Sequence, residues 1–115
     1  MKIAISSQDQ TLHSLVDERF GRAQYFLILD ASSGEVEFLD NSKNCNAAQG
    51  AGINAVQMLT DKNVTWVLTG HIGPKALAAL NVANLKYQEG FKSSMLCIDA
   101  LRKFSEDKQI KIPNL

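Results

Sequence analysis

The residues best suited to chemistry are few and come in short runs. Asp17-Glu18-Arg19-Phe20-Gly21-Arg22-Ala23 sets two arginines around an aromatic residue and a glycine. The planar fork of arginine suits an oxyanion or a soft polyanion. Read more plainly, the same segment is a surface loop in which Arg19 and Arg22 pair with Asp17 and Glu18. Glycine is the second feature: Gly50, Gly52, Gly70, Gly73 and Gly90 are five of the seven in the chain and follow or precede regular elements. Glycine serves tight turns and close backbone approach, and free N–H groups at a helix start favour an anion. The third feature is the soft-ligand set of Cys45, Cys97, His13 and His71. Cys97 falls on an apolar helix face and reads as core. His71, in a glycine-flanked turn, reads as a metal ligand or hydrogen-bond donor. His13 and Cys45 lie in polar stretches, and Cys45 is kept as a second candidate metal contact.

Several chemistries are excluded. Two cysteines are too few for a disulfide scaffold, or for a zinc or iron–sulfur site built on thiolates alone. No Ser-His-Asp or Cys-His-Asp order stands out, and no carboxylate pair is placed for acid–base work. A magnesium-dependent nuclease would need acids on its strands, and Lys2-Ile3-Ala4-Ile5 has none. Gly50-Ala51-Gly52-Ile53-Asn54-Ala55 formally matches a dinucleotide fingerprint. A polar stretch precedes it, however, and His71 and Ile72 stand where an acidic residue belongs, so a nicotinamide cofactor does not fit. Twelve Lys and Arg against twelve Asp and Glu leave no basic face for nucleic acid. The apolar runs Val64–Leu68 and Ala76–Leu80 are far short of the roughly 20 residues a bilayer helix needs. Met1–Ile5 turns polar at Ser6, unlike a signal peptide. The expectation is a soluble cytoplasmic protein forming one domain over 1–115, with 45% apolar residues to supply its core.

The elements that must hold these residues follow from pattern. Lys2–Ile5 predicts a first strand, Gln24–Leu29 and Glu35–Leu39 a hairpin about Asp30–Gly34, and Val64–Leu68 a strand covered on both faces. Ala51, Ala55, Met58 and Leu59 recur at helical spacing, with Asn63 as a left-handed stop. Pro74 suits the first turn of a short helix around Ala76–Leu80, and Asn84–Gln88 predicts a further strand. Ser93 or Ser94 is the expected cap of a last helix whose Cys97, Ala100, Leu101 and Phe104 share a face. Ile110–Pro113 reads as a tail or a short edge strand. The order β-β-β-α-β-α-β-α implies a mixed α/β sheet with parallel strands at one side. The turns after strands one, four and five, and the helix start at Gly50–Gly52, then share one sheet edge, where ligands of such folds bind.

Taken together, four segments carry a resemblance. Lys2-Ile3-Ala4-Ile5-Ser6-Ser7, Asp17–Ala23 leading into Tyr25–Ile28, Gln49-Gly50-Ala51-Gly52, and Gly70-His71-Ile72-Gly73-Pro74-Lys75-Ala76 resemble the dinitrogenase iron–molybdenum cofactor biosynthesis family, and within it the small orange-protein branch. The resemblance implies an RNase-H-like sheet of strand order 3-2-1-4-5 flanked by helices, and a role in carrying or assembling metal–sulfur clusters. It implies a molybdenum–copper sulfide cluster held without covalent attachment. Such a cluster is a multiply charged anion that brings its own sulfides. The residues expected around it are Arg19, Phe20, Gly21, Arg22, Gly50, Ala51, Gly52, Gly70 and Gly73, with His71 or Cys45 as a metal contact. Two alternatives stand beside this reading: a regulatory interaction module for a P-loop ATPase of a cluster-assembly system, and a binder of small phosphorylated metabolites.

Overall fold

The computed structural model describes all 115 residues. Its elements are β1 (Lys2–Ser7), β2 (Tyr25–Asp30), β3 (Val36–Asp40), α1 (Ser42–Cys45), α2 (Ala51–Asp61), β4 (Trp66–Leu68), α3 (Pro74–Val82), β5 (Lys86–Gln88) and α4 (Cys97–Asp107). The five strands form one sheet in the order β3-β2-β1-β4-β5, as expected. β1 pairs antiparallel with β2 (Ile5 opposite Leu27) and parallel with β4 (Ile5 beside Leu68). β4 in turn pairs parallel with β5. No helix is long and apolar enough to cross a membrane.

Period-two alternation in the strands builds a core on each face. Ile3, Ile5, Leu27 and Leu29 meet Cys97, Ala100, Leu101 and Phe104 of α4. Ala4, Phe26, Ile28 and Val67 meet Ala55, Val56 and Leu59 of α2 and Ala76 and Leu80 of α3. Each fully buried large side chain stabilises the fold by roughly 1.5–3 kcal/mol. Phe104 also meets Trp66 edge-on, with ring centroids 5.0 Å apart.

Each long helix is closed at its C-terminal end by the same device. Asn63, Asn84 and Gln109 adopt φ of 63°, 58° and 56°. The next residue then donates its N–H back across the last turn: Val64 to Leu59, Leu85 to Leu80, Ile110 to Ser105. This is the left-handed closure that satisfies a helix's orphan carbonyls. Asn63 was legible as such a stop. Asn84 was expected to open a strand, but it ends α3, and β5 begins at Lys86.

Two further expectations are corrected, and one left between two alternatives is decided. The polar stretch before Gly50 holds a four-residue helix, α1. Ser93 and Ser94 do not cap α4, whose N-cap is Leu96. The N–H of Ser93 is engaged by the Glu18 carboxylate at 2.7 Å. Met95 and Leu96 are drawn against Val16 and Leu15 in sheet-like contacts, so the helix starts only after them. Ile110–Pro113 is a tail rather than a strand; its Ile112 is buried in the core on the α4 face, and the Pro113 carbonyl closes on Gly34.

Candidate functional site

Because β1, β4 and β5 run the same way, their C-terminal ends share one edge of the sheet. There the Asp17–Arg22 segment is laced to the turn after β4. His71 donates its N–H to the Glu18 carbonyl at 2.7 Å, and Phe20 donates to the His71 carbonyl at 3.2 Å. Beneath them Thr69 and Ser6 hydroxyls lie 2.7 Å apart, and Ser6 Oγ donates to the Asp17 carbonyl at 2.6 Å. Ser6 has spent its one proton there, so Thr69 is the donor in the first pair. The turn itself is pinned from β5's side, where the Glu89 carboxylate accepts the Ile72 N–H at 2.7 Å.

Small residues bring the remaining pieces into contact. A methyl built on Gly21 would lie 2.6 Å from the Gly52 Cα, and one on Gly52 would lie 2.6 Å from the Ala76 methyl. The arginine loop therefore rests directly on the first turn of α2, which rests on the first turn of α3. Between these three runs is a cavity of about 450 Å³. Arg19, Phe20, Gly21, Arg22, Gly50, Ala51, Gly52, Gly73 and His71, all expected around the site, line it. Gly70 does not: it packs against the Glu18 backbone, where an added methyl would come within 2.7 Å of Cα. Cys45 does not either. The formation of α1 turns its thiol to the Ser42 carbonyl at 3.1 Å, with the Gln24 amide oxygen at 3.6 Å. Ile53, Pro74, Lys75 and Ala76 complete the lining and were not expected there. The Pro at the first helical position was visible in sequence, and the residues just after it are the ones a helix start presents.

The electrostatics are one-sided. The lining holds Arg19, Arg22, Lys75 and His71 and no carboxylate, although the chain as a whole is neutral. Both α2 and α3 begin without a side-chain cap and without an acidic residue in the first turn. Their cap residues are Gly50, at φ 79°, and Gly73. The N–H groups of Ala51, Gly52 and Ile53, and of Lys75 and Ala76, therefore find no acceptor in the protein; the first bonds back are Asn54 to Gly50 and Leu77 to Gly73. Two positive helix ends thus open on the same hollow.

The arginines are partly occupied. Arg19 lays its fork on Asp17 at 3.2 Å through both Nε and Nη2. The bond to that carboxylate raises the guanidinium's already high pKa. Arg22 Nη1 donates to the carbonyls of Cys45 and Ala47 at 3.2 and 2.7 Å, holding the α1 segment beside the cavity. Phe20 is almost fully buried, its ring 5.5 Å from that of Phe26, so it forms a floor rather than a projecting wall. No three His, Cys, Asp or Glu side chains come together as a metal site.

This hollow, built from paired helix starts, cations and glycines at the edge of a 3-2-1-4-5 sheet, has relatives. Residues 1–107 match the family model for dinitrogenase iron-molybdenum cofactor proteins, and the chain belongs to that family. Among solved structures it is similar to the apo form of the orange protein from Desulfovibrio gigas. The two share 35% identity over 98% of this chain and 92% of that one, with a TM-score of 0.88. It is also similar to a Thermotoga protein described as a NifB candidate of the DUF35 family, at 36% identity over 91% and 87% of the two chains and a TM-score of 0.77. No curated protein matches the chain.

Proposed function

We propose that the chain is a non-catalytic carrier or assembly protein for a molybdenum-containing metal–sulfur cluster, a molybdenum–copper sulfide in the first instance. The observation that carries this reading is the cavity itself. It combines cations, two uncapped helix starts and an apolar floor, with no carboxylate in the lining and no trio of ligands able to hold a bare metal. Such a surface suits a large, weakly hydrated anion that arrives with its own sulfide ligands. Arg19 and Arg22 balance the guest's charge, the first-turn amides of α2 and α3 donate to its sulfurs, and His71 is the one soft side chain in the lining able to reach a copper ion. Family membership and the resemblance to the orange protein support the same assignment.

Mixing the protein with tetrathiomolybdate and a copper(I) salt tests this. A stoichiometric charge-transfer absorption that stays with the protein through gel filtration is expected; elution of all colour as free anion overturns the reading. The same helix starts would also greet a phosphate, so thermal shifts with inorganic phosphate and nucleotides form the control. A phosphorylated ligand at a hundredfold its Kd would add about 2.7 kcal/mol of stability, and none is expected. Nothing in the fold favours an ATPase partner.

A further inference from the structure

We propose that Lys75 is the residue that sets how much negative charge the cavity accepts. The assignment rests on the cargo reading above. Of the three strong cations in the lining, Arg19 is held by Asp17 and Arg22 is tied to two backbone carbonyls. Lys75 is exposed and belongs to none of the ion pairs, which are Arg19–Asp17, Lys62–Glu37 and Arg102–Asp99. Arg22 keeps its charge but is held in place, so the Lys75 ammonium is the one strong cation of the lining with neither an ion-pair nor a hydrogen-bond partner to give up before it meets an anion.

Its place in the fold is also the wrong one for stability. Lys75 is the second residue of α3, where the helix dipole repels a cation and favours Asp or Glu. The chain has twelve acids available, yet neither helix that opens on the cavity carries one in its first turn. A residue that breaks a local rule at the mouth of a cavity is what a binding role selects. The Lys75 N–H opens on this hollow as a fixed donor, and its flexible side chain, which also borders the shallow groove between α2 and α3, brings a hydrated point charge with three rotatable donors within reach of it.

The test is a spectrophotometric titration of tetrathiomolybdate into wild type, Lys75→Ala and Lys75→Arg, with melting temperatures measured on each protein free of ligand. Lys75→Ala is expected to weaken binding by about tenfold or more at low salt, the loss of one charge-assisted contact. Lys75→Arg is expected to stay within about threefold of wild type, since the charge is restored. Added salt erodes wild-type affinity more steeply than that of Lys75→Ala. The ligand-free Lys75→Ala protein melts at or above the wild-type temperature, a sign opposite to that of any residue serving the fold. If wild type binds and Lys75→Ala binds within twofold of it, the assignment fails while the cargo reading stands. If wild type binds tetrathiomolybdate neither alone nor with a copper(I) salt, both fall.

Discussion

Three helices begin at the same edge of the sheet, and they begin in two ways. α4 is closed: its first N–H groups, Cys97 and Ile98, donate to the carbonyls of Ser14 and Leu12 at 2.8 and 3.1 Å, and Asp99 sits in its first turn. α2 and α3 are open, with glycine caps, no first-turn acid and five amides without an acceptor. The chain can close a helix start when a loop is spent on it, as the Thr11–Leu15 turn is spent on α4. At α2 and α3 the corresponding cover, the Arg19–Arg22 loop, brings cations in place of acceptors. Positive charge set over positive helix ends is unfavourable by itself. It becomes favourable when an anion lies between them. The difference separates, on one edge, a helix start used up in packing from two that stay free to receive an anion.

The largest effect on that contrast comes from pushing the arginine loop off α2. Gly21→Ala places a methyl 2.6 Å from backbone that cannot rotate away, and a loss of about 2–3 kcal/mol in urea denaturation is expected, together with loss of cluster retention. Gly73→Ala is the internal control. Nothing lies within 4 Å of the methyl it adds and its φ of −68° suits any residue, so the only cost expected is that of alanine against glycine at an N-cap, below about 1 kcal/mol. Equal losses in the two variants would mean that the close stacking of Gly21, Gly52 and Ala76 does not govern the cavity.

A smaller change sharpens the comparison by closing α3 as α4 is closed. Gly73→Ser supplies a hydroxyl at the N-cap, where the backbone is already extended at ψ 164°. It should accept an orphan N–H and raise ligand-free stability by about 0.3 kcal/mol, since serine betters glycine at an N-cap by only a few tenths. The same hydroxyl removes a donor from the cavity, so affinity for tetrathiomolybdate should fall as the melting temperature rises. Stability and affinity rising together would remove the α3 start from the site.

The sequence was most legible where one physical rule acted alone. Alternation over Lys2–Ile5 and Glu35–Leu39, the aromatic and branched run Gln24–Leu29 and the glycine-rich turns were enough for the sheet and its edge, and the resemblance supplied strand order. The left-handed stop at Asn63 was legible because helical periodicity ended there. Asn84 was not, because the apolar Leu85 after it fits a strand start as well as a helix closure. Ser93 looked like a cap, but a carboxylate 75 residues away in sequence takes its N–H, a contact that no local pattern encodes. Cys45 was polar-flanked in sequence and half-buried in the fold because α1 forms around it. Lys75 was read only as part of a motif. Its role depends on what its neighbours are already bonded to, and that is decided by tertiary structure.

The smallest expected effect concerns the tie between the open and closed helix starts. Glu18 lies in the loop over the cavity, and its Oε2 accepts the Ser93 N–H at 2.7 Å on the segment leading into α4. That bond, with Lys92 nearby, holds the Glu18 carboxyl below the usual carboxylate range. A lowered folded-state pKa means the contribution is fully present above the unfolded value, about 4.3, and is lost as pH falls through the lower folded value. Stability near neutral pH is therefore indifferent to Glu18 titration, and the loosening is confined to acid. In an NMR titration the Ser93 amide proton should shift with a midpoint below 4.3, and Glu18→Gln should abolish that step while leaving the Ile72 amide, held by Glu89, in place. A Ser93 midpoint at or above the unperturbed glutamate value would show that the carboxylate does not hold the α4 lead-in, which would then be tied to the loop over the cavity through backbone contacts such as Val16 N–H to the Met95 carbonyl.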